Sequence, residues 1–200
     1  MPELPEVETS VQAIQEFTNQ NIESIEIYNP NLRWKVDCKS FKKLCGLKVN
    51  KISRRAKYIL LHIDKSQILI HLGMTGTLRI AEKNSNFYKK HDHVEFIFQS
   101  GKLIFNDPRR FGSMHYITKP SSHFLLEKLG PEPLSEEFNG DYLFQKIKKS
   151  FSPIKNTLMN QHNVVGIGNI YANEILFDAK IRPTRKSKRI TKEEHHNIAA

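Results

Sequence analysis

YILLHIDKSQILIHLGMTGTLRI, residues 58–80, decides the fold class. Three short runs rich in Ile and Leu, Tyr58–Ile63, Gln67–Leu72 and Thr77–Ile80, are separated by Asp64-Lys65 and by a segment holding Gly73 and Gly76. Short β-prone runs punctuated by turn residues predict antiparallel strands. Further runs of this kind flank them: Ile22–Tyr28 and Leu47–Ile52 before, His93–Gln99, Lys102–Phe105 and Ser113–Ile117 after. Together they predict an antiparallel sandwich or barrel across residues 22–117.

Helices are predicted on either side. From about Glu3 to Thr18, the residues Val7, Val11, Ile14 and Thr18 recur at helical spacing. Pro5 suits a first turn, and Glu3, Glu6 and Glu8 complement the positive end of the helix dipole. Two prolines and a glycine in Gly130-Pro131-Glu132-Pro133 read as a linker. Helices are then expected at about Ser135–Ser150, Pro153–Asn160, Asn169–Lys180 and from Thr191 onward, where Thr191 and Glu194 form a capping-box pattern. The sequence stops a turn or two into that last helix, which reads as a truncated chain. The expected class is α+β: an N-terminal helix and antiparallel β-sandwich over 1–130, then a helical domain over 131–200.

Apolar residues make up 38% of the 200 residues, enough for a buried core. The net charge of +10 favours a polyanionic partner, with nucleic acid first. Between Asp141 and Ile190 there are ten Lys and Arg against three acids, so the helical half is the more basic. No run approaches the roughly 20 apolar residues of a membrane span, so no membrane partner is expected. The N-terminus carries no secretion-signal pattern. Cys38 and Cys45 fit neither a redox pair nor a zinc pair and read as reduced thiols of a cytoplasmic protein. The nine histidines show no metal-ligand spacing; His91-Asp92-His93 is too short for a zinc site, and one of its histidines better suits a phosphate. No metal is expected in this chain.

Five segments carry candidate chemistry. Removal of Met1 would expose the secondary amine of Pro2. An α-amino group titrates near 7.7–8.0, so it supplies a neutral nucleophile at physiological pH. Glu3 is then placed to protonate a sugar ring oxygen and Glu6 to shuttle protons; read alone, Pro2 is equally a residue ahead of a helix. Lys57, in Arg54-Arg55-Ala56-Lys57-Tyr58, starts a strand where a lysine can hold phosphate. Met74, between two glycines in His71-Leu72-Gly73-Met74-Thr75-Gly76, is either a wedge between bases or a core residue. Asp107-Pro108-Arg109-Arg110-Phe111-Gly112 puts two guanidiniums and an aromatic on one loop, which base extrusion requires. In Val164-Val165-Gly166-Ile167-Gly168-Asn169-Ile170-Tyr171, glycines precede a helix whose free amides, with the Asn169 side chain and Tyr171, would face an anion. A plain interhelical turn is the other reading.

MPELPEVET, RRAKY, HLGMTG, KHDH, NDPRRFG, LGPEPL and VGIGNIYANE occur in this order. In them the chain resembles the Fpg/Nei family of DNA glycosylases, from Met1 to about Pro183, and within it the formamidopyrimidine branch. The resemblance implies a helix–two-turns–helix in the second half and damaged double-stranded DNA as partner. It implies base-excision repair of 8-oxoguanine and formamidopyrimidines opposite cytosine by a monomeric, nucleoid-associated glycosylase and β,δ-lyase. It makes Pro2 the nucleophile, Glu3 the acid and Lys57 the proton donor in elimination. The intercalating trio becomes Met74, Arg109 and Phe111, with Arg109 facing the orphaned cytosine. Phosphate contacts fall on His91, Arg110 and Asn169, and Lys155 takes the place of a lysine near the lesion. The family also implies a C-terminal zinc finger with four cysteines, which this sequence lacks. The alternative expectation is therefore an impaired or non-catalytic binder of damaged DNA.

Overall fold

The structure, a computed structural model, describes residues 2–85, 88–119 and 122–200. Two compact units are present, Met1–His123 and Phe124–Ala200.

In the first unit, α1 (Leu4–Ala13) is followed by a 3-10 turn at Gln15–Phe17. The tighter winding brings Phe17, not the expected Thr18, onto the buried face. The strands are β1 (Ser24–Ile27), β2 (Lys51–Arg55), β3 (Tyr58–Ile63), β4 (Ser66–His71), β5 (Thr77–Ala81), β6 (Asp92–Ile97), β7 (Lys102–Asn106) and β8 (Ser113–Ile117). They form two antiparallel sheets, ordered β1-β6-β7-β5 and β2-β3-β4-β8. The second strand begins later than expected and runs through Arg54 and Arg55, because both pair with β3. A short helix, α2 (Cys38–Lys42), was not expected. Asp37 caps it, its Oδ1 accepting from the amides of Lys39 and Ser40.

The inner faces of both sheets and of α1 share one core. Val7, Val11 and Ile14 meet Ile59, Leu61, Ile68 and Ile70 of one sheet and Val94, Phe96, Leu103 and Phe105 of the other. Each such side chain contributes about 1.5–3 kcal/mol on burial.

Register decides where the functional loops lie. Tyr58 pairs with His71 and His71 with Ser113. The Ala56-Lys57 turn, the loop after β4 and the loop before β8 therefore share one end of their sheet. In the other sheet Thr77 and Asp92 both pair with Asn106, so the loop into β5 and the loop out of β7 begin together. The β4–β5 and β7–β8 loops thus both cross from one sheet to the other. At the far end of β3 and β4, beyond the Ile63–Ser66 pair, lies the exposed Asp64-Lys65 turn.

The second unit holds α3 (Gly140–Ile147), α4 (Ile154–Leu158), α5 (Asn169–Asp178) and α6 (Lys192–Ala199). Leu143, Ile147, Leu158, Val164, Leu176 and Ile198 lie in its core. α3 starts later than expected because Asn139 caps it, accepting from the amide of Tyr142. The Gly130–Pro133 stretch belongs to this unit: the Gly130 amide donates to the Gln161 carbonyl and the Val165 amide to that of Pro131. Thr191 and Glu194 form the capping box of α6.

Candidate active site and nucleic-acid interface

Helix α1 presents the N-terminal candidates. Glu3 is its N-cap in extended backbone; its carboxylate accepts from the amide of Glu6, whose carboxylate accepts from the Glu3 amide at 3.1 Å. This reciprocal box holds the start of the chain in one geometry. Pro2 is half-buried, Glu6 is exposed, and Glu3 is only 2% exposed. Met1 lies outside the described residues, so the expected loss of Met1 does as well.

Lys57 is 6% exposed. Burial pushes its ammonium below the usual lysine range, while the charges of Glu3 and Glu6 act in the opposite direction. Lys57 thus lies within reach of the charges of Glu3 and Glu6, and ionisable groups gathered in this way are candidates for proton transfer. The turn that carries Lys57 is tied to α1 through Arg54. Its Nε donates to Glu8 at 2.8 Å and its Nη1 to the Ala56 carbonyl at 2.9 Å.

His71, opposite Tyr58, has its ring 5.2 Å from the Tyr58 ring. Burial, then the charges of Arg33, Lys57 and His115, lower its pKa to about 4, with Asp107 opposing. His115 is also lowered to about 4, by burial and then His123. An unfolded imidazole takes up its proton near 6.5. The stability these two groups contribute is therefore present above that pH and is lost as pH falls toward 4. The melting temperature is expected to drop across this window. Replacing both with Gln should flatten the drop in melts recorded from pH 7 to pH 4; an equally steep curve overturns the assignment.

The wedge candidates protrude. Met74 is 43% exposed and Phe111 44%. The Arg109 guanidinium stacks over the Phe111 ring, 4.6 Å from its centre. Together with Asn31, Leu32, Arg33, His71, Gly73 and Arg110 they line an open cleft of about 700 Å³. Gly73 is required here: its φ is +64°, and a Cβ would lie 2.5 Å from the Gly112 nitrogen and the Phe111 carbonyl carbon. His91 and Arg110, the phosphate candidates, have φ of +75° and +57°. Left-handed backbone costs a residue with a Cβ about 1–2 kcal/mol.

In the second unit, Gly168 in extended backbone starts α5, and Asn169 and Tyr171 in its first turn are exposed. No acidic side chain lies in that first turn, and the positive end of a helix dipole favours an anion. Gln161 braces the turns before it: its Oε1 accepts from the Gly166 amide at 2.9 Å and its Nε2 donates to the Ile167 carbonyl at 3.2 Å. Lys155 lies in α4 and is partly buried.

Residues 1–114 match the family described as "Formamidopyrimidine-DNA glycosylase N-terminal domain", and residues 129–200 match "Formamidopyrimidine-DNA glycosylase H2TH domain". The chain belongs to the formamidopyrimidine-DNA glycosylase family. A formamidopyrimidine-DNA glycosylase of Marinobacter nauticus is 45% identical over 201 residues, covering 100% of this chain and 74% of the relative. One of Hydrogenovibrio crunogenus is 47% identical, covering 100% and 72%. Among solved structures, Lactococcus lactis formamidopyrimidine-DNA glycosylase bound non-covalently to DNA with an abasic site is similar at a TM-score of 0.91. The identity is 35%, over 98% of this chain and 77% of that one. A mutant of the same enzyme with Fapy-dG DNA gives 0.91 and 36%, over 99% and 74%.

The formamidopyrimidine-DNA glycosylase fold accounts for the helix–two-turns–helix, here α4, the turns at 160–168 and α5. Glu3 and Glu6, at the start of α1 just after Pro2, exert their charge on Lys57, and Met74, Arg109, Arg110 and Phe111 line one cleft of the first unit. Lys155, Asn169 and Tyr171 belong to the second unit. Sequence reasoning assigned no role to Arg33, Arg54 or His71; the only signal for His71 was its place at the head of the glycine loop. A four-cysteine zinc site does not fit these residues. Cys38 begins α2 and Cys45 follows it, and among the described residues no cluster of three or more His, Cys, Asp or Glu could hold a metal.

Proposed function

We propose that the first unit excises oxidised purines from duplex DNA and then cleaves the strand, with Pro2 as nucleophile. The observation that carries the reading is the capping box that fixes the buried Glu3 directly after the half-buried Pro2, with the buried Lys57 within reach of the charges of Glu3 and Glu6. Once Met1 is removed, the Pro2 nitrogen attacks C1′ of the damaged nucleotide. The nitrogen–C1′ bond forms, and the bond to the base breaks with its electron pair leaving on the base. Glu3 takes the proton that the Pro2 nitrogen sheds and delivers it to the ring oxygen as the sugar opens, leaving an iminium between Pro2 and C1′. Loss of the C2′ proton then expels the 3′ phosphate, and a second elimination expels the 5′ phosphate. Lys57, its ammonium made more acidic by burial, donates protons to the departing groups.

Met74, Arg109 and Phe111 fill the space vacated by the extruded nucleotide, with Arg109 facing the orphaned cytosine. His91 and Arg110, together with Lys155, Asn169, Tyr171 and the α5 N-terminus of the second unit, hold phosphates. The basic stretch from Lys180 to Arg189, which follows α5, suits that role, and we propose a bacterial nucleoid-associated location with it. Among the described residues no helix is long and apolar enough to cross a membrane. No step is assigned to zinc.

A cleavage gel tests the reading. Excision and nicking are expected on an 8-oxoguanine·cytosine duplex, well ahead of a thymine glycol duplex. Salt-sensitive binding without cleavage would establish the non-catalytic alternative instead.

A further inference from the structure

We infer that Asp107, acting with Thr75, is the positioning residue that makes the two wedge-bearing loops a single rigid tool for extruding the damaged nucleotide. The inference rests on the reading of Met74, Arg109 and Phe111 given above.

Asp107 is fully buried. Its Oδ1 accepts from the Thr75 hydroxyl at 2.6 Å and from the Arg109 amide at 3.3 Å. Its Oδ2 accepts from the Gly112 amide at 2.8 Å. The Thr75 oxygen accepts in turn from the Arg109 amide at 3.3 Å. One carboxylate therefore holds both ends of the Arg109–Phe111 segment and the residue next to Met74. Its main chain is tied as firmly. The Asp107 amide donates to the His91 carbonyl at 3.1 Å, and the buried His93 ring donates through Nε2 to the Asp107 carbonyl at 2.7 Å.

These ties join the β4–β5 and β7–β8 loops, both of which cross between the sheets. Without them each loop is a separate surface segment with exposed apolar or cationic tips, and inserting either into a base stack would first require ordering it. The contact of Gly73 with the Phe111–Gly112 backbone brings the loops within van der Waals distance. The Asp107 and Thr75 bonds then fix their relative register. Buried charge-assisted bonds are strong enough for this, and displacements near 1 Å at such a distance from the reacting atoms cost about a hundredfold in rate.

The test compares Thr75→Val, Thr75→Ser and Asp107→Asn with the parent chain, each checked by thermal melting. Thr75→Val keeps the side-chain volume and removes only the hydroxyl; Thr75→Ser restores it. Single-turnover excision of 8-oxoguanine is expected to fall about ten- to a hundredfold in Thr75→Val and Asp107→Asn and to recover in Thr75→Ser. Cleavage of a preformed abasic site, which has no base to unstack, should stay within about twofold. A 2-aminopurine beside the lesion should show the matching loss of unstacking signal. Equal loss of both activities, or excision within twofold of the parent in Thr75→Val, overturns the proposal. Met74→Ala separates the layers of the argument. If it leaves excision unchanged, the wedge reading falls and this proposal with it; if it lowers excision while Thr75→Val does not, the proposal alone falls.

Discussion

A protein that retains Met1, or whose Pro2 nitrogen is acetylated, is expected to yield no covalent DNA adduct under borohydride and to lose at least about a thousandfold in strand cleavage. Only an unprotonated amine with a free lone pair can form the iminium, and a peptide bond or acetyl group removes that lone pair. The capping box of Glu3 and Glu6 fixes α1 from its first turn, so blocking the amine leaves the fold unaltered. One other amine is a rival. Lys57 is buried, titrates below the ordinary lysine range and is coupled to Glu3. The decisive measurement is trapping on abasic DNA with the amine free and with it blocked, followed by mass mapping of the adduct. Persistent trapping in the blocked protein that disappears on Lys57→Met would transfer the nucleophile's role to Lys57.

Glu3→Gln should produce the second-largest effect and a different pattern. Glu3 both caps α1 and, in the proposed mechanism, delivers the proton that opens the sugar. Glutamine keeps a carbonyl oxygen to accept from the Glu6 amide, so the helix start should survive with a stability change below about 1 kcal/mol. It has no proton to deliver at neutral pH. Excision of 8-oxoguanine is expected to fall about 10²–10⁴-fold. Trapping on a preformed abasic site should persist, because an aldehyde already free of its base needs no ring-opening acid. Blocked Pro2 loses both reactions; Glu3→Gln loses one. Removing the Glu3 charge also deletes an influence that favours the charged form of Lys57, so the alkaline limb of the cleavage profile should shift to lower pH. A variant that excises at the parental rate would remove Glu3 from the mechanism.

Most of the architecture was readable from alternation and turn chemistry. All eight expected strand regions form strands, and β3 and β8 have the anticipated ends. Errors arose where tertiary pairing overrides local pattern. Arg54 and Arg55 lie beyond the apolar Leu47–Ile52 run and join the strand only through their pairing with β3, and α2 is too short at Cys38–Lys42 to show a period. The candidate site divides along similar lines. Residues that meet DNA in the proposal, such as Met74, Arg109 and Phe111, carry charge or apolar bulk in unusual settings and were visible. The residues that hold them were not. Asp107 was noticed only as part of a turn, since its partner Thr75 is 32 positions away, and Arg54 reaches Glu8 across 46. Such ties belong to distances in space, which spacing along a chain does not encode.

The Asp64-Lys65 turn closes β3 and β4 at the end of the sheet opposite Lys57 and His71. Six paired residues at about 3.4 Å each separate the two ends, so the tip stands roughly 17 Å from the Tyr58–His71 pair. It is exposed, and both strands behind it are anchored in the core. A fluorophore or surface tether attached there, after replacement of the exposed Cys45 thiol, would travel with the rigid sandwich while leaving the working end untouched. The fold thus supplies its own handle for watching single molecules scan a duplex.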